Sequence, residues 1–245
     1  MFKSFLQNFK TTNECIILAL PLILFMLATQ LYLYSIGNYT YSAGEYMFIF
    51  VTLIVWFSGI FASWFYMVKK TLEYNDSVFP LEENRKKAFL GLFKALFKGI
   101  GKFFLPMLTV VILFLILNSI KWIIEALIII YATPDYAWIL ATDILFCYVI
   151  LYGLMFWIPE IIYNERNPFK ALLKSIKNTF KSFKDFVILY TVLFLISVFI
   201  VFLLLVSIGN LFLYFLTVLI LYYFMVYSVV IVFNYYRKNF IQSEE

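Results

Sequence analysis

Residues 186–236, FVILYTVLFLISVFIVFLLLVSIGNLFLYFLTVLILYYFMVYSVVIVFNYY, run for 51 positions without a charged side chain. A helix crossing a hydrocarbon core roughly 30 Å thick needs about 20 mostly apolar residues, so this stretch is long enough for two crossings. Residues 207–210, Ser-Ile-Gly-Asn, supply a tight turn between them. The apolar residues are continuous and do not alternate every second position, which predicts helices and not a barrel.

The composition agrees. Of 245 residues, 64% are hydrophobic and 13% charged, with a mean hydropathy of +0.94. A soluble domain runs closer to half apolar and about a quarter charged, and it could not hide this much apolar surface from water. Four further runs of membrane length are predicted upstream, at about 15–36, 46–68, 103–131 and 136–158, ahead of 186–207 and 211–236. The second ends in the aromatic cluster Trp64, Phe65 and Tyr66, which suits a membrane interface, and Thr133-Pro134-Asp135 breaks the third from the fourth. The expected fold is an all-α membrane protein. It is read as a single integral membrane domain over 1–245, a six-helix transmembrane bundle with two in-plane amphipathic helices on the cytoplasmic side. The first apolar run is longer than a signal-peptide core, so it is expected to stay attached.

The cations orient the chain. With both the N-terminus and the C-terminus in the cytoplasm, 18 of the 19 Lys and Arg residues fall on the cytoplasmic side and Lys121 alone lies outside. Histidine is absent, which removes the commonest metal ligand and the usual general base, and the two cysteines imply no disulfide framework. No catalytic motif is found, so no enzyme activity, cofactor or metal is expected.

The two long cytoplasmic linkers carry the most pattern. In the second, Lys170, Lys174, Lys177, Lys181 and Lys184 recur at steps of four and three, stacking on one face of a helix predicted at about 168–184. Phe169, Leu172, Leu173, Ile176, Phe180 and Phe183 make the opposite face. In the first, predicted at about 85–101, Lys87, Lys94, Lys98 and Lys102 oppose Phe89, Phe93, Leu96 and Ile100. Residues 93–100, FKALFKGI, match residues 169–176, FKALLKSI, in six of eight positions. Such helices lie in the headgroup layer with lysines toward anionic lipid, each worth roughly 1 kcal/mol, or they dock a partner subunit. A nucleic-acid role is not expected, because no soluble domain presents the lysines.

Two polar groupings need weighing. Lys121 and Glu125 are four apart on one helix face, where they read as a neutralised pair at the membrane interface. The sharper alternative joins Asn118, Lys121, Glu125 and Asp143 into an outward-facing polar pocket. Glu160 and Glu165 lack a histidine partner and are read as counter-charges to the lysines. In the second span, Ser58, Gly59, Ala62 and Ser63 form overlapping small-xxx-small pairs that let a neighbouring helix come close.

Trp157-Ile158-Pro159-Glu160, then Asn167-Pro168-Phe169-Lys170-Ala171-Leu172, Ser175 and the lysine-rich run, resemble the second cytoplasmic linker of uncharacterised bacterial six-span integral membrane proteins. These are similar to the membrane domain found beside glycerophosphodiester phosphodiesterases. The resemblance covers spans three to six and implies a six-helix bundle in the bacterial cytoplasmic membrane. It implies no hydrolysis, because that chemistry belongs to a separate soluble barrel that this sequence does not contain. The function expected is a non-enzymatic polytopic membrane protein whose basic helices bind membrane lipids, anionic on the cytoplasmic side, or partner subunits, a second copy included. The alternative is a small-molecule or lipid transporter or permease component, which would need the polar residues near spans three and four to face a cavity.

Overall fold

The computed structural model describes residues 8–9, 12–13, 19–25, 28–29, 42–77, 81–132 and 136–242, with 75–77, 81–88, 131–132 and 136–137 as backbone only. Most of the predicted first span, 15–36, and the side chain of Lys87 lie outside the described residues. Among those described there is no strand. Five of the described helices are long and apolar enough to cross a membrane.

Helix α1 is Ala43–Ser77. It starts on a reciprocal cap, with the Ser42 N–H donating to Glu45 Oε2 at 2.7 Å and the Glu45 N–H returning to Ser42 Oγ at 3.4 Å. Helix α2, Leu81–Ala132, is 52 residues long, about 78 Å at the helical rise. The separate in-plane helix expected at 85–101 is therefore the first part of α2. Nothing between Phe93 and Met107 stops the helix, since Gly99 and Gly101 each weaken it by only about 1 kcal/mol and Pro106 is accommodated within it. Packing against α1 runs along this part: a Cβ on Gly99 would lie 2.7 Å from the Ala62 carbonyl oxygen and 3.1 Å from Ser63 Cα. The small residues of α1 thus meet the glycine of α2 at close range.

Helix α3, Tyr136–Leu154, gives way to a turn at Met155–Phe156 before the short α4, Trp157–Tyr163. The proline ring of Pro159 would collide with the carbonyl four residues back, that of Met155, so the stretch predicted at 136–158 is divided there. Helix α5 is Pro168–Lys181. Ser182 separates it from α6, Phe183–Val206. A 3-10 turn at Ser207–Gly209 follows. Asn210 then caps α7, Leu211–Tyr236, its side chain accepting from the Phe212 and Leu213 amides. A π-helical segment, Arg237–Ile241, ends the described chain.

The packed core lies at one end of these helices. It joins Trp64–Val68 and Leu72 of α1, Leu92, Phe103 and Met107 of α2, Trp157 and Ile161 of α4, Ala171 of α5 and Val226–Phe233 of α7. A second cluster, Phe156, Phe186, Tyr190 and Tyr236, ties α3, α6 and α7 together beside it. Asn8 and Phe9 reach the same bundle: Asn234 Nδ2 donates to Asn8 Oδ1 at 2.6 Å, and Phe9 meets Tyr223 and Tyr227 edge-on. Toward the far end, Ile123, Ile130, Trp138, Leu145, Phe202, Val206, Leu211 and Phe212 are exposed. Even the most buried spanning helix has only 33% of its most apolar window inside the protein. Surfaces this apolar are stable in contact with lipid, which makes this a polytopic membrane protein.

Candidate functional site

Helix α5 has three faces. Asn167 starts it, its Oδ1 accepting from the Phe169 and Lys170 amides at 3.1 and 3.3 Å, with Pro168 at the first helical position where a missing N–H does no harm. The face turned into the bundle is small and polar: Ala171, Ser175, Asn178 and Thr179 are buried. Lys170, Lys174, Lys177 and Lys181, and Lys184 just beyond, are exposed. Phe169, Leu173, Ile176, Phe180 and Phe183 are exposed too. Of the predicted apolar face, Leu172 alone turns toward the core.

The eight-residue match seen in the sequence is repeated in three dimensions. In both 93–100 and 169–176 the first two residues are exposed, Ala95 and Ala171 are buried, Leu96 and Leu172 are half-buried, and the next two residues are exposed. Gly99 and Ser175 are then buried, and Ile100 and Ile176 exposed. Each segment docks on the bundle through its smallest side chains and leaves its lysines and large apolar groups outside. Lys94 and Lys98 are accordingly exposed on α2.

A buried carboxylate clasps α5. Glu160 of α4 is fully buried. Its Oε1 lies 2.9 Å from Lys174 Nζ, and its Oε2 accepts from the Tyr236 hydroxyl and from Asn178 Nδ2 at 3.5 Å. The Tyr236 oxygen in turn accepts from Asn164 Nδ2 at 2.9 Å. Trp157 Nε1 donates to the Pro168 carbonyl at 2.7 Å, closing the loop that leads into α5. A carboxylate in a dry core needs a cation and hydrogen bonds together, and α5 and α7 provide them here. Glu160 therefore does answer one lysine of the stripe. Glu165 does not; it accepts from the Asn167 amide at 3.0 Å and so helps to place the α5 cap. Sequence reasoning missed Tyr236, Asn178 and Asn164. Their one sequence signal is that they are polar groups within or beside apolar runs.

The same end of the molecule is basic. Lys69 Nζ donates to the Ile162 carbonyl at 3.1 Å and lies 4.6 Å above the Tyr163 ring, joining α1 to α4. Arg237, buried at the end of α7, donates to the Leu72 carbonyl at 2.5 Å.

At the far end Lys121 Nζ lies 3.3 Å from Glu125 Oε1 and 2.5 Å from Asp143 Oδ1. The structure thus brings Lys121, Glu125 and Asp143 together across α2 and α3, while Asn118 stays exposed on α2 outside that cluster. The hollow beside it, lined by Glu125, Ile128, Trp138, Ile139 and Thr142, has a volume of about 50 Å³. That is room for a few water molecules. A larger groove of about 300 Å³ is lined, among the described residues, by Ala28, Phe48, Ile49, Thr52, Leu53 and Trp56. The Thr52 hydroxyl donates to the Phe48 carbonyl at 2.8 Å.

No family model, no curated protein and no solved structure matches this chain.

Proposed function

We propose that this protein is a six-span component of the bacterial cytoplasmic membrane, with both termini cytoplasmic, that binds anionic lipid headgroups through its basic helical segments and carries out no catalysis. The observation supporting this reading is the shared burial pattern of 93–100 and 169–176, which spends its small residues on docking and leaves lysines beside large apolar side chains outside. A helix lying in the headgroup layer needs that division, with Phe169, Leu173, Ile176 and Phe180 toward acyl chains and Lys170, Lys177 and Lys181 toward phosphates. In this reading α5 lies in the membrane plane, and the Glu160 clasp holds it at a set depth. The likeness to membrane domains that accompany glycerophosphodiester phosphodiesterases belongs to the same proposal.

Native mass spectrometry of protein extracted gently from its membrane tests it. The wild type is expected to retain anionic lipids, and the K170E/K177E/K181E variant, which spares Lys174, to retain them about a hundredfold less, since each lysine near an anionic surface is worth roughly 1 kcal/mol. Equal retention would sink the lipid reading. A small molecule whose retention depends on Glu125 or Asp143 would favour transport in its place.

A further inference from the structure

A second group of cations, separate from the α5 stripe, gathers where α1, α2 and the α4–α5 loop meet. The close approach at Gly99 sets it up. Because Gly99 sits against Ala62, Ser63 and Tyr66, its neighbours Lys98 and Lys102 are brought beside the end of α1. There Lys70 and Lys102, from two different helices, point at one aromatic ring: their Nζ atoms lie 5.9 and 5.8 Å from the centroid of Tyr66, which is itself buried. Lys102 also lies 5.3 Å from the Phe103 ring. Arg166, in the loop before α5, completes the group: Lys102 is repelled at once by Arg166, Lys98 and Lys70, and attracted by Glu73.

The charge does not balance. Glu73 is engaged by Lys70 at 2.5 Å and by Lys69 at 3.7 Å, and among the described residues Lys98, Lys102 and Arg166 have no carboxylate within ion-pair distance. Helix packing gathers these exposed like charges around one buried aromatic ring, an arrangement that a bound anion would relieve. Arginine offers a planar fork that matches phosphate oxygens in pairs, and lysines supply compact charges around it.

We infer that Lys70, Lys98, Lys102 and Arg166 form a binding site for a phosphate-bearing anion toward the end of the α1–α2 pair where one helix leads into the other. The site shares with the α5 reading the placement of this end at headgroup level, and it uses no α5 lysine. Its ligand chemistry is a phosphate monoester or inorganic phosphate, the forms that leave most oxygens open to several cations at once.

The test uses the full chain in phosphatidylcholine nanodiscs doped with phosphatidic acid, with inorganic phosphate as the soluble probe. K102Q/R166Q removes two cations of the site, and K177Q/K181Q removes two from α5 as a charge-matched control. K102R/R166K keeps both charges and reports whether the positions tolerate change. Binding of phosphatidic acid is expected to fall about 25-fold in K102Q/R166Q, about fivefold per cation, and to fall far less in the other two variants. If inorganic phosphate displaces the lipid, the site reads free phosphate as well; if it does not, the site is specific to a headgroup held in the membrane. Equal losses in K102Q/R166Q and K177Q/K181Q, or no loss in the first, would overturn the site. A loss confined to K177Q/K181Q would overturn it while leaving the α5 reading in place.

Discussion

Segments 93–100 and 169–176 share six of eight letters and the same burial at every position, yet one is an unmarked stretch of a 52-residue helix and the other belongs to a separate helix of 14. The difference lies in what flanks them. Asn167 and Pro168 provide a cap and a helix start ahead of the second copy, and after it the Ser182 hydroxyl donates back to the Asn178 carbonyl at 2.9 Å. The first copy has Gly91 and Leu92 directly before it, where the second has Asn167 and Pro168, and Gly101, Lys102 and Phe103 after it, and the helix runs through them all. A local repeat thus determines which face docks, while capping chemistry outside the repeat determines whether the segment runs on into a longer helix or stops. The partners differ too. The first copy docks by backbone proximity at Gly99, the second by an ion pair through Lys174.

The strongest way to break this comparison is at the clasp that only the second copy has. Glu160→Ala is expected to destabilise the protein by about 3–5 kcal/mol, read as unfolding free energy in mixed micelles, because Tyr236 and Asn178 lose a buried charged acceptor and Lys174 its counter-ion. A loss below about 1 kcal/mol would mean that α5 is held by its small residues alone, as the first copy is.

A smaller effect separates the matched positions 99 and 175. Gly99→Ala is expected to cost about 1–3 kcal/mol, since the new methyl meets the Ala62 backbone. Ser175→Ala should stay within about 0.5 kcal/mol, because that buried hydroxyl has no hydrogen-bond partner. Gly101→Ala, where a Cβ meets nothing within 4 Å, serves as the control and is expected to be neutral or slightly stabilising. If Gly99→Ala matched Gly101→Ala, the two helices would not be in contact at that point.

The least of these effects concerns the start of the second copy. Asn167→Ala removes the two amide contacts of the cap and is expected to cost about 1 kcal/mol, with faster hydrogen exchange at the Phe169 and Lys170 amides and no change along α2. Unchanged exchange there would show that Pro168 alone is enough to start α5.

Much of this is legible in the letters because lipid imposes a simple rule. A run of about 20 apolar residues must satisfy its own backbone, so helix is the outcome for Phe183–Val206 and Leu211–Tyr236 whatever surrounds them. The lysine period in 170–184 is likewise local, and the helix it predicts at about 168–184 is found at Pro168–Lys181. The Lys121–Glu125 pairing follows from spacing on one helix face.

What needed the tertiary structure is whatever depends on residues distant in the chain. Sequence spacing cannot tell that Tyr236 would meet Glu160, 76 positions away, or that Asp143 would share Lys121. Nor does helical periodicity say which of two non-lysine faces of α5 turns inward. The bundle chose the narrow face of Ala171, Ser175, Asn178 and Thr179, because close approach to α4 requires small side chains, and the large apolar face was left exposed. The sequence by itself determined a chain of apolar helices and the basic segments beside them. The fold decided that those segments dock through their smallest residues and that a buried carboxylate holds one of them, since helix contact distance and desolvation act only once the helices are side by side.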